Sequence, residues 1–106
     1  MEYEYIFTNG DLDIDVIYNR SRRKRIFTTN MKDIELMAHI EDNNKAGEFH
    51  GAQETKNFSS GVNGPDTYVF LTTHNNKRVK IIFEPNEMML KAISQVVTRR
   101  KLFLRK

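Results

Sequence analysis

A chain of 106 residues with 39% hydrophobic residues, seven Phe and four Tyr among them, has the apolar supply of one folded domain, 1–106, and too little length for two. It has no Cys, which excludes disulfides and thiolate metal sites, and no apolar run approaches the roughly 20 residues of a transmembrane helix. The net charge of +3 is mild but unevenly spread. Residues 1–19 hold Glu2, Glu4, Asp11, Asp13 and Asp15 with no Lys or Arg, whereas residues 77–106 set nine basic residues against Glu84 and Glu87. The opening MEYEYIFTNG is acidic and lacks the basic-then-apolar order of a signal peptide, so the expected compartment is the cytoplasm.

The first element is a strand over Glu2–Phe7, turning at Asn9-Gly10, a strong turn dipeptide. In Asp11–Tyr18 the apolar Leu12, Ile14, Val16 and Tyr18 alternate with Asp11, Asp13, Asp15 and Ile17, the period of a half-buried strand. A further strand, Arg22–Thr29, follows. A two-residue loop at Arg20-Ser21 sets Ile14 opposite Phe27 and Val16 opposite Arg25, with Asp13 and Asp15 on the other face.

The segment 31–42 carries two patterns at once. Ile34, Leu36, Ala38 and Ile40 alternate as in a strand, while Met, Lys, Glu, Leu and Ala favour a helix. From Glu41 to Pro65 the chain is polar and glycine-bearing, and reads as loops around one short strand, Glu54–Ser59. A clear hairpin comes next: Thr67–His74 and Lys77–Phe83 flank Asn75-Asn76, and Asn tolerates the positive φ of a tight turn. Pairing about that turn sets Tyr68 opposite Phe83, Phe70 opposite Ile81 and Thr72 opposite Val79 on one face. Leu71, Thr73, Arg78 and Lys80 form a second face expected to be mostly wet. A helix is expected over Asn86–Thr98, with Pro85 and Glu87 suiting its start and Met89, Ile93, Val96 and Val97 forming one apolar stripe.

The segments NGDLDIDVIY (Asn9–Tyr18), RRKRIF (Arg22–Phe27), KDIELMA (Lys32–Ala38), FSSG (Phe58–Gly61) and VKIIFEPNEMMLKAI (Val79–Ile93) make the chain resemble a family of short uncharacterised proteins from gut Firmicutes, a domain of unknown function. That resemblance covers most of the chain and implies a fold, but no activity, cofactor or catalytic residue. The order of elements also resembles bacterial pleckstrin-homology-like domains, in which about seven antiparallel strands form a bent, partly open barrel plugged by one C-terminal helix. This likeness makes Lys32–Ile40 a strand. The expected class is therefore mainly β (α+β), and the alternative is an antiparallel sheet with two helices.

Asp11, Asp13 and Asp15 are oxygen donors of the kind Ca²⁺ or Mg²⁺ takes, but Val16 and Arg22 stand where an EF-hand-type loop needs Gly and Glu. A solvated strand face is the reading adopted, and no metal or cofactor is expected. His39, His50 and His74 are widely spaced and lack an HxxH or HExxH pattern. Ser59 and Ser60 lack a GxSxG elbow, there is no phosphate-binding GxxxxGK, and NFSSGVNG reads as a turn. No catalytic residue is assigned. Two basic clusters remain: 20–25, with Arg20, Arg22, Arg23, Lys24 and Arg25, and 99–106, with Arg99, Arg100 and Lys101. Both are candidate anion-binding groups. The first lies close in sequence to the acidic strand, and lacks the aromatic interleaving used in base stacking, so nucleic acid and membrane surfaces are not the expected partners. Leu102, Phe103 and Leu104 are expected to pack down or meet a protein partner. The expected function is a non-catalytic binding or interaction module. The alternatives are a weak binder of nucleic acid or acidic lipid, and an enzyme whose site is assembled from scattered residues.

Overall fold

The computed structural model describes residues 2–42, 46–61 and 63–103. Among these residues eight strands lie in two sheets: β1 (Glu2–Thr8), β2 (Asp11–Tyr18), β3 (Arg22–Asn30), β4 (Leu36–His39), β5 (Glu54–Asn57), β6 (Tyr68–His74), β7 (Lys77–Phe83) and β8 (Leu102–Phe103). The smaller sheet has the order β1-β2-β3 and the larger β5-β7-β6-β4-β8. Among the described residues they do not join into a closed barrel. One helix, α1 (Glu87–Ser94), follows β7.

Turn chemistry sets the hairpins. Asn9 (φ 52°) and Gly10 (φ 93°) turn β1 into β2, in the left-handed region that Asn and Gly tolerate. Asn75 and Asn76, at φ 53° and 65°, do the same between β6 and β7. There the register is the one the sequence implies: Tyr68 faces Phe83, Phe70 faces Ile81 and Thr72 faces Val79, and all six are buried. The β2–β3 hairpin corrects the two-residue loop. Asn19, Arg20 and Ser21 form a three-residue turn, with Asn19 and Arg20 at positive φ, and Tyr18 pairs with Arg22. A bulge at Ile26 then restores the expected Ile14–Phe27 pair. Between turn and bulge the register is displaced by one, so Asp15, not Val16, lies opposite Arg25, and Val16 lies opposite Lys24.

Three further corrections arise in the larger sheet. Its edge strands are not antiparallel: β5 pairs parallel with β7, and β8 parallel with β4. The expected strand over Lys32–Ile40 shortens to Leu36–His39, because Met31–Asp33 forms a 3-10 turn started by the Asn30 side chain accepting from the Lys32 N–H at 2.8 Å. Both patterns in that segment have a cause: β4 is buried on both faces, with Met37 in the main core and Leu36 and Ala38 in a second cluster. The outer face of β6 is wet only toward its turn, where Thr73 is exposed opposite the exposed Arg78. Val69 and Leu71 are buried with Leu36, Ala38 and Phe49, and Phe49 arrives on a 3-10 turn, Ala46–Phe49, inside the polar stretch.

The helix begins as expected, Asn86 capping the Met89 N–H at 2.8 Å, but ends at Ser94, short of Thr98. The next residues include the β-branched Val96, Val97 and Thr98, poor helix formers, and the chain must turn to bring β8 beside β4. Arg99–Lys101 consequently form a separate 3-10 turn and not the helix end. Ile93 and Val97 are buried in the main core with Leu12, Ile14, Phe27, Phe70, Ile81 and Phe83, so residues from both sheets and the helical segment meet in one cluster. Phe70 and Phe83 meet edge to face at 5.2 Å.

Candidate functional site

Strand alternation splits the first basic cluster between two faces. Arg23 and Arg25 lie on the outer face of the smaller sheet, where Glu4, Asp13 and Asp15 also lie. Arg25 Nε donates to Asp15 Oδ1 at 2.9 Å, and Nη1 lies 3.4 Å from Asp13 Oδ2. The Thr28 hydroxyl also donates to Asp13. Arg23 Nη2 sits 2.8 Å from Glu4 Oε1. Asp15 is 2% exposed, which makes Arg25 its main compensation; that hydrogen bond in turn holds the Arg25 proton more firmly than usual. Arg22 and Lys24 fall on the opposite face, beside Tyr18 and Val16. Arg20, Arg22 and Lys24 are exposed, as is Tyr18, and none of the three cations has an ion pair among the described residues.

The second cluster is carried by the larger sheet. Lys101 Nζ donates to the Lys32 carbonyl at 3.4 Å. Arg100 and Phe103 line an open depression of about 490 Å³ with Glu35, Leu36, Leu71 and Arg78, and Arg78 is held by Glu35 at 3.0 Å. Of the apolar run, Leu102 packs against the main core and Phe103 against the second cluster, while Leu104 lies outside the described residues.

The other candidates are drawn into the fold. Asp13 and Asp15 are held by Arg25, and among the described residues no three His, Asp or Glu side chains are grouped as a metal site. The Glu41 N–H donates to His39 Nδ1 at 3.0 Å, which fixes the Nε2–H tautomer and makes Nε2 the donor to the Pro65 carbonyl at 2.9 Å. His74 lies 4.7 Å from the Phe27 ring and His50 is exposed, so the three histidines do not converge. Ser59 Oγ donates to Asn57 Oδ1 at 2.5 Å and accepts from the Gly61 N–H at 3.1 Å, an arrangement that shapes a turn.

One feature escaped the sequence reading. Glu2, Tyr3, Tyr5, Phe58, Ser59, Ser60 and Glu84 line a depression of about 310 Å³. Its floor is fixed by Tyr5, whose hydroxyl donates to the Phe58 carbonyl and accepts from the Glu84 N–H at 3.0 Å. Burial raises the Tyr5 pKa above its ordinary value; the Glu84 backbone bond opposes that shift and the Glu84 charge adds to it. These residues come from β1, the loop after β5 and the end of β7. Only the alternation of Glu2, Tyr3, Glu4 and Tyr5, which puts both rings on one face, could have signalled the site.

A three-stranded and a five-stranded sheet share one core with a C-terminal helical segment, an arrangement consistent with a PH-like domain. The chain belongs to the family described as Bacterial PH-like domain (DUF6106), a bacterial domain of unknown function, whose profile matches residues 1–104. Comparison with the curated proteins and with the solved structures returns no match. Among the described residues no helix is long and apolar enough to cross a membrane.

Proposed function

We propose that this PH-like domain is a non-catalytic binding or interaction module of the bacterial cytoplasm. The observation that carries the reading is the use made of its buried polar side chains. Asp15 is held by Arg25, His39 by Pro65 and Glu41, Ser59 by Asn57 and Gly61, and the Thr67 hydroxyl accepts from the Gly64 N–H. Groups that acid–base or nucleophilic chemistry would need free are engaged in shaping turns and joining strands. A second reading, an anionic ligand, is favoured by Arg20, Arg22 and Lys24, exposed around Tyr18 at the hairpin end.

A titration of single-stranded nucleic acid and of anionic vesicles at low and at about 150 mM salt, where the Debye length is about 8 Å, decides between the two. With Arg23 and Arg25 engaged by carboxylates, three cations are too few to hold an anionic polymer at the higher salt, and we expect binding to vanish there. Micromolar binding that persists, and that R22A/K24A abolishes, would replace the first reading by the second.

A further inference from the structure

We infer that the depression between β1 and the loop after β5 is a cation pocket, one that takes the ammonium or guanidinium head of a Lys or Arg side chain on a partner polypeptide. Its walls are aromatic and its rim is acidic. The Tyr3 and Phe58 rings lie 5.6 Å apart and tilted by 58°, so they form an open angle and not a closed stack. An aromatic face attracts a cation through its quadrupole, and a Lys or Arg head is the side-chain group that gains most from it.

The charge around the pocket points the same way. Neither Glu2 nor Glu84 has an ion pair among the described residues, although the chain carries a net +3. Arg23, which shares the outer face with Glu2, is engaged by Glu4. Lys24, on the face of Tyr3, stands two strands away, roughly 10 Å at ordinary strand spacing. Glu84 is already oriented: the Ser60 N–H donates to Oε1 at 2.8 Å and the Ser60 hydroxyl to Oε2 at 3.0 Å. Each carboxylate oxygen has two acceptor positions, so both oxygens can still accept from a cationic donor. A volume of about 310 Å³ stands at the lower end of ligand pockets and leaves room for one side-chain head.

The inference rests on the binding-module reading and deepens it by naming the ligand's chemistry. The hairpin titration reports on Arg22 and Lys24 and the pocket on Glu2, Tyr3 and Glu84, so failure of one is distinguishable from failure of the other. The test is an amide-resolved NMR titration of the full chain with doubly capped lysine and arginine, with capped norleucine as the uncharged counterpart and tetramethylammonium as a small quaternary amine. We expect saturable shifts at Tyr3, Ser60 and Glu84 with lysine or arginine, at a Kd of about 1–10 mM for one isolated side chain. Norleucine should not saturate. Tyr3→Leu should weaken binding about two- to five-fold, the range of an exposed cation–π contact. Glu2→Gln, an exposed change at the start of β1 that leaves the core alone, should weaken it as well, and adding Glu84→Gln should abolish it in a protein whose spectrum remains dispersed. Norleucine shifts equal to those of lysine, or binding that survives in the folded double variant, would overturn the assignment. So would tetramethylammonium binding more tightly than either amino acid, which points to a small amine in place of a polypeptide side chain.

Discussion

Arg23 and Arg25 stand two residues apart on the same face of β3, yet they do different work. Arg23 pairs with Glu4, and both side chains are substantially exposed, at 53% and 39%. Such a pair contributes at most about 1 kcal/mol. Arg25 covers Asp15, whose side chain is 3% exposed, and removing it leaves a buried carboxylate without its strongest donor. We therefore expect Arg25→Ala to cost more stability than Arg23→Ala, which should cost less than about 1 kcal/mol. Urea unfolding of the two variants checks the order, and equal losses would mean that Asp15 is compensated without Arg25. The sequence showed acids and bases close together, and it implied that their charges would meet. It could not show which Arg meets which Asp, because that depends on a bulge at Ile26, one extra residue with no distinctive composition.

Elements were most legible where turn chemistry and alternation agreed. The Asn75-Asn76 turn fixes the β6–β7 register to the residue, since a two-residue turn at positive φ leaves no freedom in pairing. The Arg20-Ser21 loop misled, because it was Asn19 and Arg20 that took positive φ, and Arg carries no turn signature. Parallel pairing of β5 and β8 was not legible at all. Strands of four and two residues carry too little pattern, and their partners are far off in sequence. The helix was legible through its stripe, and the stripe supplies a test. Ile93 is fully buried whereas Met88, on the same helix, is 81% exposed. Ile93→Ala should cost about 2–5 kcal/mol, a large share of the roughly 5–15 kcal/mol of a typical domain. Met88→Ala should stay within about 0.5 kcal/mol. A loss below that figure for Ile93→Ala would mean that α1 does not close the core in solution.

At the scale of the molecule, the two sheets share no strand ladder among the described residues, so their union depends on side chains. The smaller sheet contributes Leu12, Ile14 and Phe27, the larger Met37, Phe70, Val79, Ile81 and Phe83, and the segment after β7 contributes Ile93 and Val97. Tyr5 adds a polar tie across the same boundary, from β1 to Phe58 and Glu84. A three-stranded sheet alone would expose the apolar face that this cluster buries, and a sheet that small needs such a partner. The Cα radius of gyration, 13.2 Å, matches the roughly 13 Å expected of one compact domain of this length. We therefore expect the chain to unfold as a single unit. Methyl signals of Ile14, in the smaller sheet, and of Ile81, in the larger, should be lost along the same urea curve as the far-UV circular dichroism, with one slope of about 1–3 kcal/mol per molar. If the Ile14 signal were lost first, the shared core would be too weak to couple the sheets. The β2–β3 hairpin, with its exposed cations, would then open as a separate unit, and any partner it binds would select a partly unfolded state.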